Sequence, residues 1–418
     1  MFGEIITIGD ELISGRTLDQ NARYAAGRLT ASGLCVARIT SVGDDHKMVS
    51  KTISTALESS RFVIVTGGLG PTDDDMTNEI VASALNRSLY LDHQMLERVK
   101  TYIEAKGLEM TPSIEKMAWL PEGSRILNPK GQFCGCCIVE QDVQLYFLPG
   151  VPDQMRYLLD KFVLPEILKL YEDVPAVGQR ILKLYGIKEP DISETLKQLR
   201  GKTRDVILGF YPYFPENHIT LSLSGEDKAT IAEELAKVEG ELGRLLGSFI
   251  FASGNQDMET VVGKQLLDKG MTISVAESCS GGLIGHRLTN VPGSSVYFQG
   301  GVVVYGNRSK VDLLHVNPDI LETHGAVSDQ TVREMVRGVR NRFETDLGLA
   351  VTGIAGPDGG SKEKPVGTVY IGLATRDEIL SGKYHFWGNR GQIKLETCMM
   401  ALDWVRRYLD GNPFLPGI

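Results

Sequence analysis

No stretch of this 418-residue chain approaches the roughly 18 consecutive apolar residues that would span a bilayer. Nor do its first residues show a basic segment followed by a long apolar one, so export is not signalled and a cytoplasmic location is the expectation. Positive charge is also in deficit. There are 44 Lys and Arg against 53 Asp and Glu, a formal net charge of -9. That balance argues against a dedicated nucleic-acid binder while leaving room for a local basic pocket. Cysteine is scarce too, at six. Cys134, Cys136 and Cys137 cluster, whereas Cys35, Cys279 and Cys398 are scattered, and none has the spacing or the histidine help of a zinc site. Buried or free thiols in a reducing compartment are expected instead.

What is present fits several α/β domains. The length is two or three times that of a typical domain, and many of the 46 glycines fall between apolar runs. Apolar strands at 3–8, 36–42 and 62–66 alternate with helical periodicity over 17–32 and 45–58, the order of a parallel sheet. Strands near 124–128, 136–140 and 143–148 follow. A smaller region holds strands at 180–185, 206–211 and 218–224 and helices at about 190–199 and 226–246. The alternation then resumes, with strands at 272–276, 300–305, 347–352 and 368–375 and a closing amphipathic helix over 391–409.

In the last region, three polar or glycine-rich segments each follow an apolar strand, where parallel sheets place ligands. Ser278 stands two residues past a strand, in Glu277-Ser278-Cys279-Ser280-Gly281-Gly282, at a helix start. A serine hydroxyl needs a neighbouring base to become a nucleophile. His286 and His315 lie in no motif that ties them to Ser278. Lys310 is the better base, with Tyr305 and Arg308 placed to orient or tune it, because burial can hold a lysine neutral. Simpler readings stand beside these: Ser278 as a helix cap, Lys310 as a solvated lysine, and Gly353, Gly356, Gly359 and Gly360 as a tight loop.

Near the amino end, Gly67-Gly68-Leu69-Gly70-Pro71-Thr72-Asp73-Asp74-Asp75 follows a buried strand. Its glycines allow close approach of an anion, and Asp73, Asp74 and Asp75 could hold a hard divalent cation. Asp10 and Glu11 follow another strand and could reach the same rim. An ordinary acidic helix start is the plain alternative. The run lacks the Gly-Lys-Ser/Thr ending of a Walker loop.

These motifs resemble a known family. Ala276–Gly282, Gly301–Tyr305 with Asn307 and Lys310, Thr352–Gly360 and Pro365–Val369 are similar to the carboxyl-terminal domain of CinA proteins. Gly9–Gly15, Asp19 with Asn21, Gly67–Asp75 and Pro149–Pro152 resemble their molybdopterin-binding-like amino-terminal domain. The resemblance implies two three-layer α/β domains, at 1–171 and 257–412, joined by a small α+β, KH-like domain at 175–248. It implies deamidation of nicotinamide mononucleotide (NMN) by the last domain, with no cofactor. For the first it implies hydrolysis of ADP-ribose to AMP and ribose 5-phosphate with a divalent metal (Mg, Mn or Co). A molybdopterin-like cofactor binder or scaffold without turnover is the alternative.

On that reading Ser278 attacks the carboxamide, Lys310 is base and then acid, and Tyr305 and Thr352 support the proton network. Backbone N–H groups near Cys279, Ser280, Gly281 and Gly282, or near Gly353 and Gly356, meet the oxyanion. The helix start at 280–282 or the loop from Gly356 to Gly359 and Gly360 takes the phosphate, with Asn307 nearby. In the first domain Gly67, Gly68, Gly70 and Thr72 contact substrate, and Asp73, Asp74, Asp75, Asp10 and Glu11 hold the metal. The resemblance also implies a homodimer. The middle region has neither a GXXG loop nor basic flanks, so direct nucleic-acid binding is not expected.

Overall fold

The computed structural model describes residues 2–128, 135–171, 174–199, 203 and 205–414; Cys134 lies outside them. The chain forms two compact units, 1–178 with 224–231 and 179–223 with 232–418. Most of the small middle region groups with the carboxyl-terminal part, and residues 224–231 group with the first. Among the described residues no helix is long and apolar enough to cross a membrane.

Strands are numbered in chain order. The first unit contains β1 (Phe2–Ile8), β2 (Cys35–Val42), β3 (Phe62–Thr66), β4 (Leu89–Leu91), β5 (Trp119–Pro121), β6 (Arg125–Ile126), β7 (Cys136–Glu140) and β8 (Val143–Leu148). Its main sheet has the order β2-β1-β3-β8-β7-β6, while β4 and β5 form a separate pair. β1 pairs in parallel with both β2 and β3, and β7 returns antiparallel to β8. Alternation of side chains builds two cores. Ile5, Phe62, Ile64 and Tyr146 face the helices Gln20–Ala31 and Pro152–Leu158; Ile6, Val63, Val65 and Phe147 face the helices His46–Ser59, Thr77–Ala84 and His93–Ala105. A sheet apolar on both faces needs a helical layer on each, which gives three layers.

β9 (Ala176–Leu184), β10 (Ile207–Tyr213), β11 (Glu216–Gly225) and β12 (Ile250–Ser253) form a small sheet in the order β10-β11-β9-β12. In the second unit this sheet is fastened to the last domain. Tyr185, Phe251 and Ala252 enter the same core as Met258, Val262 and Leu402. The Tyr185 hydroxyl donates to a Glu396 carboxylate oxygen at 2.9 Å. Arg406 and Arg407 each reach both Asp403 and Ser248. These buried contacts, invisible as periodicity, join the small sheet to the last domain.

The large sheet of this unit comprises β13 (Ile273–Glu277), β14 (Phe298–Val303), β15 (Leu347–Gly353), β16 (Thr368–Ala374) and β17 (Ile379–His385), ordered β14-β13-β15-β16-β17. β13 is parallel to β14 and β15, while β16 and β17 turn back antiparallel. Val275, Leu349 and Ile371 pack on helices that include Met258–Lys269 and Arg390–Asp410. Ala276, Ala350 and Ala374 pack on the helix Asp329–Phe343 through Val332, Val336 and Val339.

Both sheets share one topological feature. β1 lies between β2 and β3, and β13 between β14 and β15, so successive connections leave to opposite sides. A crevice opens at the carboxyl end of such a central strand. Gly9–Glu11 follows β1 and Ser278 follows β13, which puts each candidate motif at a crevice.

Candidate active sites at two strand-end crevices

The carboxyl-terminal crevice is built on a turn held from beneath. Glu277, the last residue of β13, is only 1% exposed. One of its carboxylate oxygens accepts from the Ser280 hydroxyl at 2.7 Å and from the N–H groups of Gly282 and Ile284 at 2.9 and 3.1 Å. The other accepts from Gly285 N–H at 2.8 Å. These donors belong to the amino end of the helix Leu283–Thr289, where N–H groups have no intrahelical partner and the helix dipole favours negative charge. Gly281 and Gly282 have φ of +64° and +97°, the left-handed region that lets the chain turn this tightly. Ser278 rides on the outside of the turn.

Lys310 sits on the helix Asn307–Leu314 and is 1% exposed, with no salt bridge among the described residues. Its Nζ stands 3.2 Å from Ser278 Oγ. It also donates to the carbonyl oxygens of Val304 at 2.7 Å and Tyr305 at 3.3 Å. Burial pushes the Lys310 ammonium below the usual lysine range. Thr352 is buried and donates to Ala326 O at 2.7 Å. Together with Cys279, Gly353 and Ala355, these residues line a cavity of about 150 Å³. Burial raises the Cys279 thiol to about 12, so it stays protonated beside the serine.

Other expected site residues are placed differently. The Tyr305 hydroxyl accepts from Arg390 at 2.9 Å and the side chain is 60% exposed; its carbonyl, not its hydroxyl, reaches Lys310. Ser280 is fully buried on Glu277 and does not line the cavity. Gly282 N–H is held by Glu277, and Gly281 N–H donates to Ser278 O at 3.2 Å. The helix start at 280–282 thus already has its anion, which removes it as the phosphate seat.

Asn307, Gly356, Gly359 and Gly360 lie outside the cavity lining. Gly353, Gly356 and Gly360 pack so closely on 365–369 that a side chain would collide, the tight-loop alternative. Tyr305, Ala326, Val327 and Arg390 complete the lining, and the last three were missed. Arg390 has a sequence signal only in hindsight, as the first residue after the Asn389 cap of the last helix; its guanidinium holds Gly356 O at 2.6 Å.

The amino-terminal crevice is larger, about 580 Å³. Gly67, with φ of +112°, follows β3 so close to Ile8 that a Cβ would overlap the Ile8 carbonyl. Asn21 ties the strand ends together, donating to Thr66 Oγ1 at 3.0 Å and to Gly150 O at 2.8 Å. Gly67, Gly68, Gly70, Glu11, Asp74 and Asp75 line it, together with Val99, Tyr102, Leu108 and Met117. Asp10, Thr72 and Asp73 are not in the lining. The Thr72 hydroxyl is bonded to both Asp74 and Asp75, which folds the acidic run on itself.

Asp44, absent from the sequence-based set, is also in the lining. Its carboxylate accepts from Asp10 N–H at 2.9 Å, and Asp10 returns the bond to Asp44 N–H at 3.1 Å. Burial, with the negative charges of Asp10, Asp74 and Glu11, holds the Asp44 carboxyl above its usual range. Carboxylate oxygens suit a hard divalent cation, and one would offset that repulsion. The expected five-carboxylate cluster is nevertheless not drawn together. Among the described residues no three His, Cys, Asp or Glu side chains form a group that could hold an ion.

The comparisons with known proteins match this geometry in order along the chain. Residues 4–169 match the model described as "Probable molybdopterin binding domain", 179–252 the Damage-inducible protein CinA KH domain, and 255–409 the CinA C-terminal domain. A CinA-like protein of a Geobacter strain is 40% identical over 99% of both chains. One from Syntrophus aciditrophicus is 41% identical over 97% of both. A crystal structure of a competence/damage inducible protein from Agrobacterium tumefaciens covers 37% of this chain and 97% of its own, at 39% identity and TM-score 0.35.

The Glu277 clamp generates a prediction. Glu277→Gln replaces one acceptor oxygen by an amide that faces N–H donors, which should cost about 2–4 kcal/mol. Urea unfolding of the full chain should show the loss in its midpoint; a change under about 0.5 kcal/mol would mean that the turn stands without the carboxylate.

Proposed function

Since this chain belongs to the CinA family, we propose that its carboxyl-terminal unit is a serine amidohydrolase that converts NMN and water to nicotinate mononucleotide and ammonia. One observation carries the reading: Lys310 Nζ is buried 3.2 Å from Ser278 Oγ, with Val304 O and Tyr305 O around it. A neutral amine has two N–H bonds and one lone pair. The carbonyls accept the two N–H bonds, leaving the lone pair for the serine proton. Burial favours that neutral form.

The reaction then follows. Ser278 Oγ attacks the carboxamide carbon while its proton passes to Lys310. Lys310 gives that proton to the departing nitrogen, ammonia leaves, and an ester to Ser278 remains. Water attacks the ester with Lys310 again as base. The C–O bond to serine breaks, Ser278 regains its proton, and the acid ionises. N–H groups of Cys279 and Ala355, both lining the cavity, are the candidates to meet the oxyanion. The Glu277 carboxylate disfavours a phosphate at the helix start, so the nucleotide phosphate is assigned to the Arg390 side.

For the amino-terminal crevice the reading is hydrolysis of ADP-ribose to AMP and ribose 5-phosphate. The glycines of the lining allow backbone approach to a diphosphate, and Val99, Tyr102, Leu108 and Met117 suit a base. A divalent cation (Mg, Mn or Co) would have to draw Glu11, Asp44, Asp74 and Asp75 of the lining together as it binds with the diphosphate, because no three of them are grouped to hold an ion as they stand. Bound there, the cation would neutralise the diphosphate and lower the pKa of attacking water.

Two outcomes test these readings. Ser278→Ala should lower kcat for ammonia release from NMN by about 1,000-fold or more with KM little changed, and Lys310→Arg should not rescue Lys310→Ala. Turnover near wild type in Ser278→Ala would remove serine catalysis. EDTA should abolish ADP-ribose hydrolysis and spare ammonia release, measured on one preparation. Equal loss of both would contradict a metal confined to the amino-terminal crevice.

A further inference from the structure

A third recess lies at the other end of the carboxyl-terminal sheet. It has a volume of about 340 Å³ between the helix Asp329–Phe343 and the turn joining β16 to β17. Ala374 at this recess pairs with Gly348, which in turn pairs with Ser274 on β13, four residues before Ser278. At about 3.3 Å per residue it lies roughly 13 Å along the strands from Ser278. It shares no lining residue with either crevice described above.

Arg333, Arg337, Arg340 and Arg376 line this recess, facing only Asp377 and Glu378. The first three recur at intervals of four and three residues, which puts them on one helical face along about 10 Å of axis. Arg333 donates one Nη to Ser381 Oγ at 2.9 Å, and Arg340 its Nε to Asp346 O at 3.1 Å. Neither these two nor Arg376 makes a salt bridge among the described residues, whereas Arg337 is paired with Glu334. Compensation of the helix dipole accounts for a cation in the last turn, as at Arg340. It does not account for Arg333 in the second turn, or for Arg376 on a separate turn. So many guanidiniums sharing a concave surface is notable in a chain of net charge -9.

We propose that this recess is a binding site for a compact polyphosphate, as carried by a nucleoside triphosphate. Guanidinium forks match phosphate oxygens in pairs, and their 10 Å row matches successive phosphates rather than one isolated anion. Asp377 and Glu378 bound the recess and disfavour a nucleic-acid backbone running past it. The volume is that of a small-ligand site.

Calorimetric titration of the full chain in EDTA at low salt, with sodium tripolyphosphate and separately with ATP, tests the site. Both probes should bind, and the double variant Arg337→Gln/Arg376→Gln should weaken each at least about tenfold. Affinity for ATP equal to or above that for tripolyphosphate is expected, since the phosphates dominate. Both substituted residues are exposed; if the double variant unfolds early, Arg376→Gln alone should weaken binding about threefold or more. No binding, or binding unaltered in the folded variants, would overturn the proposal. So would a single-stranded oligonucleotide that binds more tightly than ATP and is lost in the same variants.

Discussion

The carboxyl-terminal site depends on one buried carboxylate. Glu277 is removed from water at the end of a central strand, a costly position for a charge unless every lone pair is used. Here one hydroxyl and three helix-start N–H groups use them. The result is a turn whose path is set from inside. Ser278 is consequently presented outward on a fixed backbone instead of a mobile loop. The second fixed point is Lys310, held by the two carbonyls that end β14's run. Serine and lysine thus come from separate strand-to-helix connections that meet because β13 and β14 are neighbours.

The same topological constraint shapes the first unit with different chemistry. At β1 and β3 the close approach of backbones requires glycine at 67, and the space beyond is lined by backbone and carboxylates rather than by a buried amine. Two α/β sheets with equivalent crevices are therefore compatible with unrelated reactions, because the reaction is decided by the side chains at the rim.

Much of this was legible in the sequence. β-branched runs such as Phe62–Thr66 and Leu347–Thr352 identify buried parallel strands, and the residues following them mark the crevices. Ser278 with Lys310 could be paired because no histidine offered itself. What remained hidden has physical reasons. Asp44 and Arg390 reach their sites from loops and helix starts distant in sequence, with no periodicity to mark them. Ser280 and Gly282 look like binding residues, yet they serve Glu277, and hydrogen bonds of that kind leave no trace in residue spacing. Tyr305 was expected in the proton network from its position beside Lys310; it does line the cavity, but its hydroxyl is engaged by Arg390 and its carbonyl is what reaches Lys310. The short strand Ile250–Ser253 escaped notice because its partner β9 is distant in sequence, and Ile379–His385, the hairpin partner of β16, because Ser381, Gly382 and Lys383 interrupt its apolar pattern.

The central claim is that Lys310 works as a neutral base. Its pKa is lowered by burial, so the base form is populated above that lowered value and lost as pH falls through it. The direct measurement is kcat/KM for ammonia release from NMN as a function of pH. The account predicts a rise with pH to a plateau, governed by one group titrating below the ordinary lysine value of about 10.4. In Lys310→Ala the residual rate should lose that limb. A wild-type profile without such a limb, or one that persists unchanged in Lys310→Ala, would contradict the account.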